Sequence, residues 1–295
     1  MVSTDVARAK VNLTLKVVGR RPDGYHDLES VVTFAAVGDR VTLSPGEPAG
    51  VVVEGPFATA IDGINLLAVA IDLLAAADPA LRLGRVSLEK TLPVAAGLGG
   101  GSADAGALLR LLRQANGARA TAPLWADVAR RLGADVPVCF AGRPAVLRGT
   151  GAEFEPLPAT GDTLPPLPAV LVNPGLPLPT ARVFSALAAA TGRGARPPPP
   201  QLPFPCWPRL IEYIAAVGND LEPPAVGLAP VIAEVKAALT AAPGCRVAQM
   251  SGSGPTCFGL FEDAARAAAG ADALRQARPQ WWIVATALEG VARAP

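Results

Sequence analysis

The chain opens on alternation. In AKVNLTLKVVG (residues 9–19), Val11, Leu13, Leu15 and Val17 share one side while Lys10, Asn12, Thr14 and Lys16 share the other. That period of two is the mark of a β-strand. The turn RRPDGYH follows, and ESVVTFAAV, RVTLS and VVVEG read as three more strands. Over residues 65–77 the pattern becomes helical and rich in alanine and leucine, closing before Asp78-Pro79. RVSLEKTL is a strand that runs into a glycine loop. SADAGALLRLLRQAN is then a predicted helix with Ser102 near its start, and PLWADVARRLG a second one ended by Gly133.

Proline, glycine and threonine take over in GTGAEFEPLPATGDTLPPLP, which places a domain boundary there: an N-terminal domain over 1–155 and a C-terminal one over 156–295. The second half offers strand AVLVNPG, helix TARVFSALAAAT and a proline-rich passage, RPPPPQLPFPCWP. Helix PVIAEVKAALTAA, strand RVAQMS, the turn GSGP, strand TCFGLF, a helix from Asp263 and strand WWIVATAL complete it. This order fits two α+β domains better than an alternating, doubly wound sheet.

With 295 residues, 51% of them hydrophobic and 17% charged, the chain can bury a core without disulfide or metal staples. A net charge of +1 and the lack of a basic stripe argue against a nucleic-acid partner. Cys139, Cys206, Cys245 and Cys257 lie far apart, and a single histidine cannot complete a zinc cluster. The first ten residues lack the apolar core of a signal peptide, and the longest apolar stretch, INLLAVAIDLLAAA, is cut by Asp72. The expectation is a cytoplasmic protein with reduced thiols, small-molecule substrates, no membrane association and no obligate protein partner.

The stretch LPVAAGLGGGSADAGALL (92–109) carries the most chemistry. Gly97, Gly99, Gly100 and Gly101 stand directly before a helix, where glycine lets the backbone approach a ligand closely and the helix start favours an anion. Phosphate is the expected guest, with Ser102 able to donate to it or to contact magnesium. The other interpretation is a flexible connector capped by Ser102. The Lys-Ser/Thr pair of a Walker A loop is absent, and Ser102 stands where a dinucleotide fingerprint needs glycine. Lys10 is either a solvated strand lysine or the cation that offsets developing negative charge. Asp135, in LGADVPVCF, either caps the next helix or accepts the proton of a substrate hydroxyl. MSGSGPTCF (250–258) is either a tight hairpin or a small-residue loop lying close to phosphate or to the first loop.

Taken together, these residues resemble the galactokinase/homoserine kinase/mevalonate kinase/phosphomevalonate kinase superfamily. Its N-terminal lysine motif, central glycine loop and C-terminal small-residue loop are matched by Lys10, Pro93–Ser102 and Met250–Cys257. The blocks AKVNLTLKVVGRRPDGYHDLES, GLGGGSADAG, LGADVPVCF, NPGLPLPTARVF, GNDLE and SGSGPTCF are similar, in order, to the branch whose acceptor is a cytidine diphosphate-linked methylerythritol. The resemblance implies a two-domain fold: a ribosomal-protein-S5-domain-2-like N-terminal domain, a ferredoxin-like α/β sandwich at the C-terminus and an active site in the cleft between them. It also implies ATP-dependent, magnesium-assisted phosphorylation of the acceptor's 2-hydroxyl in the non-mevalonate route to isoprenoids.

On that resemblance Lys10 and Asp135 are the catalytic pair and Asn12 places the acceptor. Pro93, Val94, Ala95, Ala96, Gly97, Leu98, Gly99, Gly100, Gly101, Ser102 and Ala103 hold ATP, with Asn65 at the adenosine. Tyr25 and Phe184 stack on cytosine, His26 meets the edge of the base, and Thr180 lies nearby. The lone histidine, which at first sight invites an acid–base role, thus becomes a substrate reader. Ile64 departs from the pattern, standing where an acidic residue usually precedes Asn-Leu. Gly106 is a second oddity, costing its helix about 1 kcal/mol relative to alanine. The nearest alternative is a superfamily kinase for homoserine or mevalonate; a nucleotide-binding module without turnover is a more distant one.

Overall fold

A computed structural model describes residues 1–157, 166–190, 204 and 206–289. Part of the expected boundary segment, and most of the proline-rich passage, lie outside the described residues. The first half runs β1 (Ser3–Asn12), β2 (Lys16–Arg20), β3 (His26–Ser44), β4 (Gly50–Glu54), α1 (Leu66–Ala77), β5 (Arg85–Glu89), α2 (Gly100–Asn116), α3 (Ala122–Leu132) and α4 (Val136–Ala141). There follow β6 (Ala145–Gly149), β7 (Glu153–Pro156), β8 (Leu167–Asn173), α5 (Thr180–Ala190), α6 (Trp207–Val217) and α7 (Glu222–Leu228). The chain closes with α8 (Val231–Ala241), β9 (Cys245–Met250), β10 (Cys257–Phe261), α9 (Ala264–Ala277) and β11 (Trp282–Leu288).

The chain divides into two compact units. The first comprises Met1–Lys10, Val37–Val94 and Gly99–Gly142; the second comprises Val11–Ala36, Ala95–Leu98 and Arg143–Pro295. The glycine loop and the first strand therefore each contribute residues to both.

In the first unit, β5 pairs antiparallel with the end of β3, from Arg40 opposite Glu89 to Ser44 opposite Arg85, and parallel with β4. Helix α1 starts at Asn65, whose side chain accepts the Leu67 amide at 2.9 Å, one of the donors a helix start leaves unpaired. Its buried residues, Leu67, Ala70, Ile71 and Leu74, repeat at helical spacing. The glycine inside α2 has a packing cause. A Cβ on Gly106 would lie 2.6 Å from the Cys139 carbonyl carbon and 2.8 Å from its oxygen, so only glycine lets α2 approach α4 this closely.

In the second unit the strand order is β11-β8-β10-β9, all antiparallel. Val170 and Val172 of β8, Phe261 of β10, Ile232 and Val235 of α8 and Ala271 of α9 share its buried core. The hairpin β2–β3 turns through Pro22, Asp23 and Gly24, with Arg20 opposite His26; Gly24 takes φ +89° and the Arg21 amide bonds the Tyr25 carbonyl at 2.7 Å.

Two expectations need correction. The alternating run 9–19 is not one strand. It breaks after Asn12 and resumes at Lys16, because Leu15 leaves the ladder to bridge Asn219: its amide bonds the Gly218 carbonyl at 3.0 Å, and its carbonyl takes the Asp220 amide at 2.9 Å. Conversely, ESVVTFAAV and RVTLS are not two strands but parts of the 19-residue β3.

Candidate functional site

Within the first unit, β1 ends its share of the fold at Lys10, whose side chain is almost fully buried. Its ammonium lies 3.1 Å from Asp135 Oδ1, and the Asp135 carboxylate keeps about a third of its surface open (36%). Asp135 stands at the N-cap position of α4 with helical dihedrals and makes no side-chain capping bond. The capping interpretation therefore fails, and the carboxylate is committed to the lysine. Between these residues and the glycine loop the fit is close: a Cβ on Gly99 would lie 3.1 Å from Lys10 Cε and 3.3 Å from its Cβ. Gly99 itself is left-handed (φ +60°) and caps α2, whose first residues are Gly100, Gly101, Ser102 and Ala103. A lysine ammonium, a carboxylate and the amide end of a 17-residue helix are thereby gathered in one unit.

Beneath this loop lies a cluster that sequence reasoning missed. Lys90 Nζ is 2.6 Å from both Asp39 Oδ2 and Asp104 Oδ2, with all three side chains at 5% exposure or less. Asp39 Oδ1 also accepts the Thr91 amide at 2.6 Å and the Leu92 amide at 2.8 Å, which fixes the entry to the loop. Burial pushes the Asp104 carboxyl up to about 7; Lys90 opposes that shift and the Asp39 charge adds to it. For Lys90, burial works against the charged form, but the two carboxylates prevail and its pKa rises. A Cβ on Gly100 would lie 3.2 Å from Lys90 Nζ, so the ammonium packs directly against the start of α2. No local signal marks this cluster, since Lys90 is 51 residues from Asp39 and 14 from Asp104.

The second unit holds the other half of the loop. Ala95 is the one non-glycine among the described residues with positive φ (+52°), a left-handed conformation that costs alanine about 1–2 kcal/mol. Its carbonyl accepts the Leu178 amide at 3.1 Å, and that of Ala96 accepts the Thr256 amide at 3.2 Å. Gly97 takes φ +74°, and a Cβ there would lie 2.3 Å from the Ser251 carbonyl oxygen. Both interpretations of the third loop therefore hold: it joins the antiparallel β9 and β10, and it lies against Gly97. Ser251 Oγ donates to the Gly97 carbonyl at 3.0 Å and accepts the Asn12 amide at 3.1 Å. Asn12 is buried, and its Nδ2 donates to Ser30 Oγ at 2.8 Å.

Helix α5 presents Thr180 and Phe184 one turn apart, hence on one face. Thr180 Oγ1 lies 2.8 Å from Ser253 Oγ of the third loop, and the Phe184 ring stacks on His26 with centroids 5.1 Å apart at 27°. Burial, with a smaller contribution from the Arg20 charge, holds the His26 imidazole below its usual pKa, so the neutral ring is favoured. Tyr25 is 66% exposed at the tip of the β2–β3 turn. The structure thus brings together His26 with Phe184, Thr180 with the third loop, and Asn12 with Ser251. Asn65 spends its side-chain oxygen on the α1 cap, so that oxygen already has a partner in the fold.

Comparison with known proteins matches residues 65–143 to "GHMP kinases N terminal domain" and residues 206–280 to "GHMP kinases C terminal". A 4-diphosphocytidyl-2-C-methyl-D-erythritol kinase from Rhodopseudomonas palustris is 48% identical, covering 98% of each chain. One of the same name from Methylobacterium radiotolerans is 50% identical, over 96% of this chain and 98% of that one. Among solved structures, a 4-(cytidine 5'-diphospho)-2C-methyl-D-erythritol kinase superposes with a TM-score of 0.78 at 37% identity, covering 98% of this chain and all (100%) of the other. Among the described residues, no helix is long and apolar enough to cross a membrane.

Proposed function

We propose a specific reaction for this chain, which belongs to the GHMP kinase family and, within it, to the 4-diphosphocytidyl-2-C-methyl-D-erythritol kinases. It transfers the γ-phosphate of ATP to the 2-hydroxyl of the cytidine diphosphate-linked methylerythritol, as a step in the non-mevalonate route to isoprenoids. The observation that carries the mechanism is the Lys10–Asp135 ion pair packed on Gly99 at the start of α2.

Asp135 holds or accepts the proton of the 2-hydroxyl while that oxygen bonds to the γ-phosphorus and the bond to the β-phosphate oxygen breaks, releasing ADP. Lys10 keeps the carboxylate oriented and offsets the negative charge that develops. Amides at the start of α2 and of the glycine loop hold the phosphates, because this chemistry depends on positioning and electrostatics more than on covalent help. Ser102, in the first turn of α2, would offer its hydroxyl to a magnesium ion. The donor set suits an ion that arrives with ATP; when bound, it neutralises phosphate charge.

Asn12 places the acceptor, and cytosine is read by His26, Phe184 and Tyr25. The observed His26–Phe184 stack supports a flat, aromatic-lined reader, and a neutral imidazole can both donate to and accept from a base edge. Free thiols at all four cysteines fit a reducing, cytoplasmic setting. His26→Ala should raise the acceptor KM roughly tenfold, the effect of about 1.4 kcal/mol of lost binding, while leaving kcat and the ATP KM close to wild type. Steady-state kinetics with each substrate varied in turn checks this. An unchanged acceptor KM would remove His26 from recognition.

A further inference from the structure

The GNDLE stretch, residues 218–222, takes no part in the reaction as described so far, yet its second residue is fully engaged. Asn219 is 8% exposed. Its Nδ2 donates to the carbonyls of Met250 and Gly252, both at 2.8 Å, and its Oδ1 accepts the Leu221 amide at 2.9 Å. Those two carbonyls flank Ser251, the residue whose hydroxyl joins the Asn12 amide to the Gly97 carbonyl.

On its other side the same stretch grips the chain just beyond β1. Besides the backbone exchange with Leu15, the Asp220 carboxylate takes Lys16 Nζ at 2.5 Å and the Val17 amide at 2.9 Å. The links form a closed ring: from Asn12 along the chain to Leu15, across to Asn219, on to the Met250–Gly252 arch, and through Ser251 back to Asn12. Packing at Gly252 is close. A Cβ on Gly252 would lie 3.0 Å from the Gly97 carbonyl oxygen and 3.2 Å from Asn12 Oδ1.

We propose that Asn219 is a positioning residue for phosphoryl transfer, holding the Met250–Gly252 arch so that Ser251 fixes the spacing between Asn12 and Gly97. The inference rests on the kinase reading, in which Asn12 places the acceptor and Gly97 belongs to the ATP loop. It needs no contact between Asn219 and either substrate. A one-ångström error in reactant placement is enough to slow such a reaction by about two orders of magnitude. An amide that pins both shoulders of the arch is suited to prevent that error.

The test is Asn219→Asp, which keeps the side-chain shape and the acceptor for Leu221 but sets a carboxylate oxygen against two carbonyls. We expect kcat with the cytidine-linked acceptor to fall roughly 10- to 100-fold in folded protein, with a much smaller change in ATP affinity. Ser251→Ala, which cuts the ring at its other joint, should lower kcat similarly. The double variant should be little worse than either single one, because both break the same device. Should Asn219→Asp not fold, Asn219→Ser takes its place in the cycle. Wild-type kcat in a folded Asn219 variant, or losses that multiply independently in the double variant, would overturn the proposal. If the wild type itself fails to phosphorylate the cytidine-linked acceptor, it is the kinase reading that has failed instead.

Discussion

Replacing Asp135 by asparagine should lower kcat by about two to four orders of magnitude, the usual contribution of a positioned general base, and leave ATP binding intact. The side chain keeps its shape, and its oxygen can still accept a hydrogen bond from Lys10 Nζ, now 3.1 Å away. What is lost is the basic carboxylate and its charge. The carboxylate is not needed to cap α4, where it makes no bond, so the helix is not expected to unravel. A loss confined to kcat marks an interaction made in the transition state and not in the ground state. ADP release under saturating substrates, with ATP affinity measured by separate titration, checks both halves. Equal turnover in the two proteins would take Asp135 out of the reaction.

Gly97→Ala should damage both the fold and the turnover. The new methyl would lie 2.3 Å from the Ser251 carbonyl oxygen, 2.7 Å from the Gly254 amide nitrogen and 2.9 Å from the Gly254 carbonyl oxygen. All three are backbone atoms, so no side-chain rotation relieves the clash, and a left-handed alanine adds about 1–2 kcal/mol of its own. The third loop has to withdraw, taking with it the Ser251 hydroxyl that bridges to Asn12. We expect a lower Tm together with a roughly hundredfold loss of kcat/KM. Gly101→Ala is the informative contrast, because there a Cβ would meet only Leu66 Cδ1 at 3.9 Å, an ordinary contact. That variant should keep its Tm, so any rise in its ATP KM would report close approach of phosphate to the loop. Thermal melts and steady-state kinetics on the pair separate the two uses of glycine. An unchanged melt for Gly97→Ala would contradict the interlock.

Much of this was legible because several signals are local. The period of two in β1, the glycines before α2 and the order of the family blocks all point to the family that the comparisons bear out. Helices α6 and α7 were missed. Each carries proline at the first or second position, where its missing amide costs nothing and its fixed φ suits a helix, although in sequence it resembles a breaker; α3 has such a proline too and was legible from the helical spacing of its apolar residues. The break at Leu13–Leu15 was invisible because its cause, Asn219, lies some two hundred residues away. That the Asp135 side chain leaves α4 uncapped and pairs with Lys10 at 3.1 Å also needed the structure, because the two residues are far apart in sequence.

The buried Lys90–Asp39–Asp104 cluster shows the same limit from the other side. Asp39 stands beside Arg40 and Lys90 beside Glu89, and such charges read equally well as surface residues on an amphipathic element. Only the meeting of all three makes burial tolerable, because an isolated charge there would lack a partner.

The identity of the acceptor can be tested directly. Purified protein, supplied with magnesium and ATP, should be assayed for ADP release with the cytidine diphosphate-linked methylerythritol, homoserine and mevalonate in parallel. Acceptor-dependent turnover is expected with the first alone; turnover only with homoserine or mevalonate would assign the chain a different acceptor.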